Sequence, residues 1–407
     1  MPTFHSTGLQ DISIIDQIGK IVDNSDFSMP LVVFNTQQLQ AFSYQEHLRE
    51  FQPVELIDED NLAALEIPRY YKSVYVPDDK YMLIGGLERH TSQSSAQCFQ
   101  IDEKARISRI QEMEIGRQYF TICLDEAKNN FENKTFVYVI SGFNHEFHIL
   151  NEVERYCMET RSWEQVEAIE TARLNASACK CGKKYIYLFG GLNVEKNEFS
   201  DSIERFNQKL QIWTTLQVKM PLKISNSYAF CFNPNFILIM GGITKKVEPP
   251  SSKLQDNSQA GGNYMAQSGL NSAIVSNEMN KTFEIQNKVY VMHISENDTK
   301  FKWKQLAPFP FKKKVGNIVY NNYGKFFCFI IENNNRELPQ LVVYDVRKVF
   351  PQFDKYYLHQ QDISNHIQQI DGRTVRTLTE QKEQEGASHS GKRVVSQKMQ
   401  VLHHNKE

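Results

Sequence analysis

The chain has 407 residues, of which 41% are hydrophobic, 12% aromatic and 23% charged, with a formal net charge of -2. This is enough apolar material for a sizeable core, and the near-neutral balance excludes a general electrostatic field for nucleic acid or an anionic membrane. No apolar stretch approaches the roughly twenty residues that cross a bilayer, and Met1 to Lys20 lacks the charged start and apolar centre of a signal peptide, so a cytoplasmic location without membrane contact is expected.

Seven cysteines, an odd number scattered through predicted strands, fit reduced buried thiols better than a disulfide framework. The sequons at Asn133, Asn175, Asn280 and Asn297 then carry no weight, because glycosylation requires the secretory route.

In chain order, residues 1–28 come first, with Ile12 to Ile18 suiting either a short helix or a strand. Apolar runs then recur at Leu31-Val-Val-Phe-Asn, Tyr81-Met-Leu-Ile-Gly-Gly, Phe136 to Gly142, Tyr185 to Gly191, Phe236-Ile-Leu-Ile-Met-Gly-Gly and Phe326-Phe-Cys-Phe-Ile-Ile. Their first residues lie 50, 55, 49, 51 and 90 apart. Each run is short, rich in β-branched or aromatic residues and bounded by turn residues, which is the pattern of a strand covered on both faces. The long interval contains a low-complexity insertion at about 245–280, rich in Ser, Asn, Gln and Gly, and removing it restores the period. The insertion cannot bury a core and is expected to be a disordered loop. It is either a flexible partner-binding arm or a tolerated expansion, since long surface loops cost little stability.

The period carries other residues with it. Tyr185-Ile-Tyr-Leu-Phe-Gly-Gly leads to Ile203-Glu-Arg-Phe and Trp213, as Phe136-Val-Tyr-Val-Ile-Ser-Gly leads to Val153-Glu-Arg-Tyr and Trp163. Trp303 takes the equivalent place once the insertion is removed. The glycines Gly85, Gly86, Gly142, Gly190, Gly191, Gly241 and Gly242 fit sharp turns or close backbone approach at strand ends. One Trp per unit suits packing between neighbouring units, with the indole N–H near a polar edge. Glu154-Arg155 and Glu204-Arg205 recur at one repeat position, so a structural ion pair or inter-strand hydrogen bond is a simpler account than acid–base catalysis.

Strand, Gly pair, second strand and Trp at about fifty residues resembles the kelch repeat. The resemblance covers roughly residues 30–358, and it implies an all-β, six-bladed kelch-type β-propeller with each unit forming one four-stranded blade. The expected organisation is an N-terminal segment 1–28, a propeller 29–358 with its inserted loop, and a polar tail 359–407. The first copy is expected to lack an opening strand. Either the N-terminal segment or the tail, through Val394-Val-Ser-Gln-Lys-Met-Gln-Val, would complete the ring and remove an exposed edge.

Candidate chemistry is sparse. Gly386-Ala-Ser-His-Ser-Gly-Lys-Arg imitates a phosphate loop but places Arg393 where a hydroxyl is needed, with no strand before it. His145-Glu-Phe-His148 lacks metalloprotease spacing, and Cys179-Lys-Cys181 has no second pair of zinc spacing. No catalytic, cofactor or metal-binding residues are expected.

The resemblance implies instead a non-enzymatic scaffold or adaptor that holds a partner protein through loops crowded on one face. Pro68-Arg69-Tyr70-Tyr71, Gly116-Arg117-Gln118-Tyr119, Ala172-Arg173-Leu174-Asn175 and Lys223-Ile-Ser-Asn-Ser227 are read as equivalent loops. Arg69, Tyr71, Arg117, Tyr119, Arg173, Asn175, Ser225 and Ser227 are thus the candidate partner-binding residues, with Arg and Tyr the types that dominate hot spots. The Arg residues read equally as braces of these loops. If they face outward, an acidic peptide is the natural ligand.

Kelch proteins commonly serve as ubiquitin-ligase substrate receptors or as cytoskeletal and vesicular scaffolds. About thirty residues before Leu31 cannot make a ligase-binding domain, so a ligase role would need the propeller or tail to recruit the ligase. The alternatives are a structural subunit of a cytoskeletal or axonemal assembly, which allows a cytoskeletal location, and, less favoured, a propeller enzyme such as a sugar epimerase.

Overall fold

A computed structural model describes residues 32–58 apart from 36–38 and 46–49; 66–246 apart from 79, 92, 103, 128–129 and 147; and 283–350 apart from 296–298, 310–314, 321–324 and 331–339. All of these lie in the first of two compact units, Met1–Phe350. The architecture is nearly all β. Its larger sheets are built from consecutive strands joined antiparallel, as hairpin-connected short strands of even spacing require.

The first sheet orders β1 (Val32–Asn35), β2 (Leu39–Gln45) and β3 (Glu50–Val54). The second orders β5 (Lys72–Val76), β6 (Lys80–Ile84), β7 (Cys98–Ile101) and β8 (Arg106–Ile110), with the short β4 (Ile57–Asp58) added parallel at the β8 edge. The third runs β9 (Thr121–Asp125), β10 (Phe136–Ile140), β11 (Val153–Cys157) and β12 (Ser162–Val166). The fourth runs β13 (Ser177–Cys181), β14 (Tyr185–Phe189), β17 (Ile203–Asn207) and β18 (Ile212–Thr215), with a side hairpin of β15 (Leu192–Asn193) and β16 (Glu198–Phe199).

The fifth sheet runs β19 (Tyr228–Asn233), β20 (Phe236–Met240), β23 (Val289–Ile294) and β24 (Phe301–Leu306), with a side hairpin of β21 (Ile243–Lys245) and β22 (Phe283–Ile285). The sixth orders β25 (Val315–Tyr320), β26 (Lys325–Ile330) and β27 (Gln340–Asp345), followed by one helical turn, α1 (Val346–Val349).

The core lies between sheets. Along β10 every residue is buried, because alternate side chains serve two neighbours. Phe136, Tyr138 and Ile140 pack with Ile186, Leu188 and Phe206 of the fourth sheet. Val137 and Val139 pack with Met82, Ile84 and Cys98 of the second. The second strand of the second to fifth units is therefore a nearly unbroken buried run rather than an alternating one. Burying such a strand on both faces contributes about 2 kcal/mol for each large side chain.

Glycine marks the places where one unit touches the next. At Gly190, φ is +61° and a Cβ would stand 2.4 Å from Ile224 O of the following unit. The same position in the third unit holds Ser141, with φ at +62°. Its buried hydroxyl lies 2.7 Å from Leu150 O and 2.6 Å from Arg173 O, and it accepts from the Arg173 N–H at 3.1 Å. A polar contact replaces the clash that another side chain would meet there.

Two of the three indoles bridge units as well. Trp163 Nε1 donates to Gln111 O at 2.8 Å, and Trp213 Nε1 donates to Glu167 O at 2.9 Å, each acceptor lying just past the outer strand of the preceding sheet. Trp303 keeps the register, but its Nε1 is buried without a hydrogen-bond partner among the described residues.

Two features differ from the sequence reading. Strand β1 lies beside β5 and β25, the opening strands of the second and sixth sheets. The first copy therefore has an opening strand, and it is a fourth, outer strand that its described residues lack. Second, strand β4 pairs in parallel, a join that no local pattern announced. The Glu-Arg positions do carry structural ion pairs, Glu154 and Glu204 with Arg117 and Arg173, and Arg155 with Glu132 and Glu164, because successive residues of a strand point to opposite faces. The insertion at about 245–280, the segment 1–28 and the tail 359–407 lie outside the described residues, apart from the start of the insertion at Lys245 and Lys246.

Candidate functional site

Each chain segment that leads into an opening strand bridges to the loop that leaves the second strand of the same sheet. Arg69 and Leu87 exchange two backbone bonds of 2.7 Å, and Leu174 and Leu192 exchange bonds of 2.9 and 2.7 Å. Gln118 with Phe143, and Ser225 with Ile243, repeat the arrangement. Two loop types are thereby held at one end of the second to fifth sheets.

One residue after each bridge, the backbone turns left-handed. Tyr70 (φ 57°), Tyr119 (57°), Asn175 (50°) and Asn226 (53°) occupy equivalent positions in four consecutive sheets. Between neighbours these turns are tied directly: the Asn175 N–H donates to Tyr119 O at 2.7 Å, and the Asn226 N–H donates to Asn175 O at 2.9 Å. Asn tolerates this conformation readily, whereas a bulky side chain there costs on the order of 1 kcal/mol.

Even so, the second and third sheets use Tyr. Tyr70 is 43% exposed and Tyr119 40%, and the Tyr119 ring stacks on Phe143 with centroids 5.3 Å apart. Partial burial, and secondarily the neighbouring Tyr70 phenol, raise the Tyr119 phenol above its ordinary range. Two strained, exposed phenols in adjacent units thus flank one another.

The structure separates the expected partner-binding residues. Arg117 and Arg173 are buried, which fits the reading of them as braces of their loops and not that of outward-facing contacts. Arg117 Nη2 pairs with Glu154 Oε1, and Arg173 Nη2 pairs with Glu204 Oε1. Each carboxylate also accepts from the linker between sheets: Glu154 from the N–H groups of Glu114 and Ile115, Glu204 from those of Glu170 and Thr171. Burial lowers the pKa of both guanidinium groups against the pull of their partners. Such pairs brace the linker and present no charge to a ligand.

Arg69 does not join them, because the bridges place it level with Gln118 and Leu174, one position out of step with Arg117 and Arg173. No ring of three arginines forms. Pro68 and Phe99 stand in the second sheet where Arg173 and Glu204 stand in the fourth, and Ile224 and Tyr290 do so in the fifth. Arginine and carboxylate are present together or replaced together.

Tyr71 is buried at the base of its loop. Ser225 is buried with its hydroxyl donating to Asn175 O at 3.2 Å, and Ser227 is buried with its hydroxyl 2.9 Å from that of Ser177. Tyr119 is the expected residue that is exposed, and Arg69 and Asn175 are half-buried. Tyr70 and Asn226 were not singled out in sequence, since the surface residue sits between the bridge residue and the first core residue. Its signal is the backbone angle.

Among the described residues no group of three His, Cys, Asp or Glu side chains is arranged to hold a metal ion, and no helix is long and apolar enough to cross a membrane. His145 and His148 are exposed on either side of Glu146, the latter imidazole 3.3 Å from the carboxylate.

The repeated four-stranded unit with its Gly turn and bridging indole is that of a kelch repeat, and residues 172–217 match the family model of the Kelch motif. The chain thus carries a Kelch motif at these residues, in a repeat that runs through its described sheets. It is similar to a RING finger domain and kelch repeat-containing protein of Dictyostelium discoideum, 27% identical over 134 residues, which are 33% of this chain and 12% of that relative. The similarity thus spans about an eighth of the relative's length. Kelch repeats generally mediate protein–protein interaction, and the family is generally non-enzymatic.

Proposed function

We propose that the chain is a six-bladed propeller, closed through the pairing of its first and last units, that holds a partner protein as a non-enzymatic adaptor or scaffold. Closure is supported by the succession of opening strands, in which β1 neighbours β5, β5 neighbours β9, β9 neighbours β13, β13 neighbours β19, and β25 returns to β1. The propeller spans about 29–358, flanked by the segment 1–28 and the tail 359–407.

The observation that carries the docking reading is the pair Tyr70 and Tyr119. Asn occupies the same left-handed position in the next two units at less conformational cost. A large aromatic retained there, exposed and strained, is the mark of a binding anchor rather than a folding requirement. Asn175 and Asn226 extend the surface with adaptable amide groups.

Affinity purification with the full chain tests this. The wild type should recover proteins that a Tyr70→Ala/Tyr119→Ala variant loses, whereas Leu210→Ser/Ile212→Thr, exposed on the outer hairpin of the fourth sheet, should keep them. Equal recovery by all three would sink the reading. Variable, substoichiometric partners would mark an adaptor, and one constant set would mark a subunit of a stable assembly.

A further inference from the structure

We propose that Cys181 and Cys231 form an oxidation site, a thiol pair that a hydroperoxide converts to a disulfide joining the fourth and fifth sheets. Cys181 ends β13, and Cys231 lies on β19, the opening strand of the next sheet. The two sulfur atoms are 2.6 Å apart, and neither cysteine is in a disulfide. They face each other across the contact between sheets, where Tyr187, Ile237 and Met292 close the surroundings.

The two sulfurs differ in access. Cys181 is 4% exposed and directs its thiol towards Pro234 O at 3.3 Å, whereas Cys231 is half-buried. The strand register shifts between Cys231 and Asn233, an irregularity of the kind that re-aims side chains. Cys179 shares a face of β13 with Cys181, and its burial pushes its thiol well above the ordinary range. Cys123, on β9, packs on the other side of the fourth sheet.

The chemistry balances with peroxide as the oxidant. The Cys231 sulfur attacks the O–O bond, giving a sulfenic acid and releasing one water. The Cys181 sulfur then displaces hydroxide from that sulfenic sulfur, forming the S–S bond, and its proton leaves with the hydroxide as a second water. Two thiols lose two electrons, and one hydrogen peroxide becomes two waters. The bridge would join two opening strands fifty residues apart in sequence, a loop long enough for a disulfide to restrict the unfolded chain appreciably.

The test uses the full chain, treated with hydrogen peroxide, alkylated and digested with trypsin. Cleavage after Lys180 and Lys183 isolates Cys181 from Cys179, and the fragment Ile224–Lys245 carries Cys231 as its single cysteine. The expected product is Cys181–Lys183 linked to Ile224–Lys245. Titratable thiols should fall from seven to five, dithiothreitol should restore them, and the thermal midpoint of the oxidised protein should rise by roughly 5 °C. Cys179→Ser should retain the link and Cys231→Ser should abolish it, with reduced Cys231→Ser melting close to the reduced wild type as a control of folding. A link through Cys179 or Cys123, over-oxidised Cys231 without any link, or seven unchanged thiols would each overturn the proposal.

Discussion

The guanidinium of Arg173 and the carboxylate of Glu204 form a buried pair that joins the segment leading into the fourth sheet to that sheet's third strand. Arg117 and Glu154 repeat it one unit earlier. Burial raises the pKa of Glu204 while the Arg173 charge opposes the rise, so the carboxylate depends on its partner to stay ionised.

Removing one member leaves the other buried and unpaired. Arg173→Ile should cost about 3–5 kcal/mol in urea unfolding. The combination found in the fifth sheet, introduced as Arg173→Ile/Glu204→Tyr, should recover about half of that loss or more, because both charges go together. A double variant no more stable than Arg173→Ile would show that the two positions are not coupled.

Ser141 is predicted to be a glycine substitute held by its hydroxyl. Ser141→Ala keeps the strained Cβ and deletes the hydroxyl bonds, so it should cost about 1–2 kcal/mol. Ser141→Gly, the residue used at the equivalent Gly85, Gly190 and Gly241, should cost less. A Ser141→Ala variant that melts together with the wild type would show the hydroxyl to be idle.

Tyr119 should prove costly to the fold and useful to the surface. Tyr119→Asn matches the neighbouring units and should leave stability unchanged or raise it by up to about 1 kcal/mol, while lowering partner recovery. A large loss of stability would instead make the phenol a packing residue.

Asp125 and Lys180 form a buried pair between the third and fourth sheets, with Nζ 3.3 Å from Oδ1 and Gln208 Nε2 donating to Oδ2 at 2.5 Å. Burial raises the pKa of Asp125 even with Lys180 present. Lys180→Met would raise it further, so the variant's folded state binds a proton more tightly than its unfolded chain. The penalty is then fully present above the folded pKa and fades as pH falls towards the unfolded value. Urea unfolding should show a loss of about 3 kcal/mol at pH 7.5 and a clearly smaller one near pH 4.5. An equal loss at both would exclude Asp125 as its source.

The fold was legible wherever its cause was local. The run Phe136 to Ile140 announced a strand covered on both faces, and the indoles Trp163 and Trp213 announced contacts between units, because burial and side-chain type speak through single residues. What stayed hidden depends on residues brought together from afar. Arg173 meets Glu204 over 31 positions, and Cys231 meets Cys181 over 50. Aligning Arg69 with Arg117 was natural by residue type, yet the backbone bridges set it one step away. Tyr70 was passed over because nothing in a residue's name reveals that its φ is positive.

The hairpin of β21 and β22 gives the long interval between the fifth unit's glycines and its third strand a further meaning. Lys245 and Phe283 are cross-strand partners, so the chain departs and returns at adjacent points, like a seam drawn shut. The sheet beyond that seam meets the same two ends whatever length of chain runs between them. Because closure entropy grows only with the logarithm of loop length, this position can gain or lose sequence while the contacts of the fifth sheet stay as they are. It is a place in the chain where new recognition elements can be tried without risking the fold.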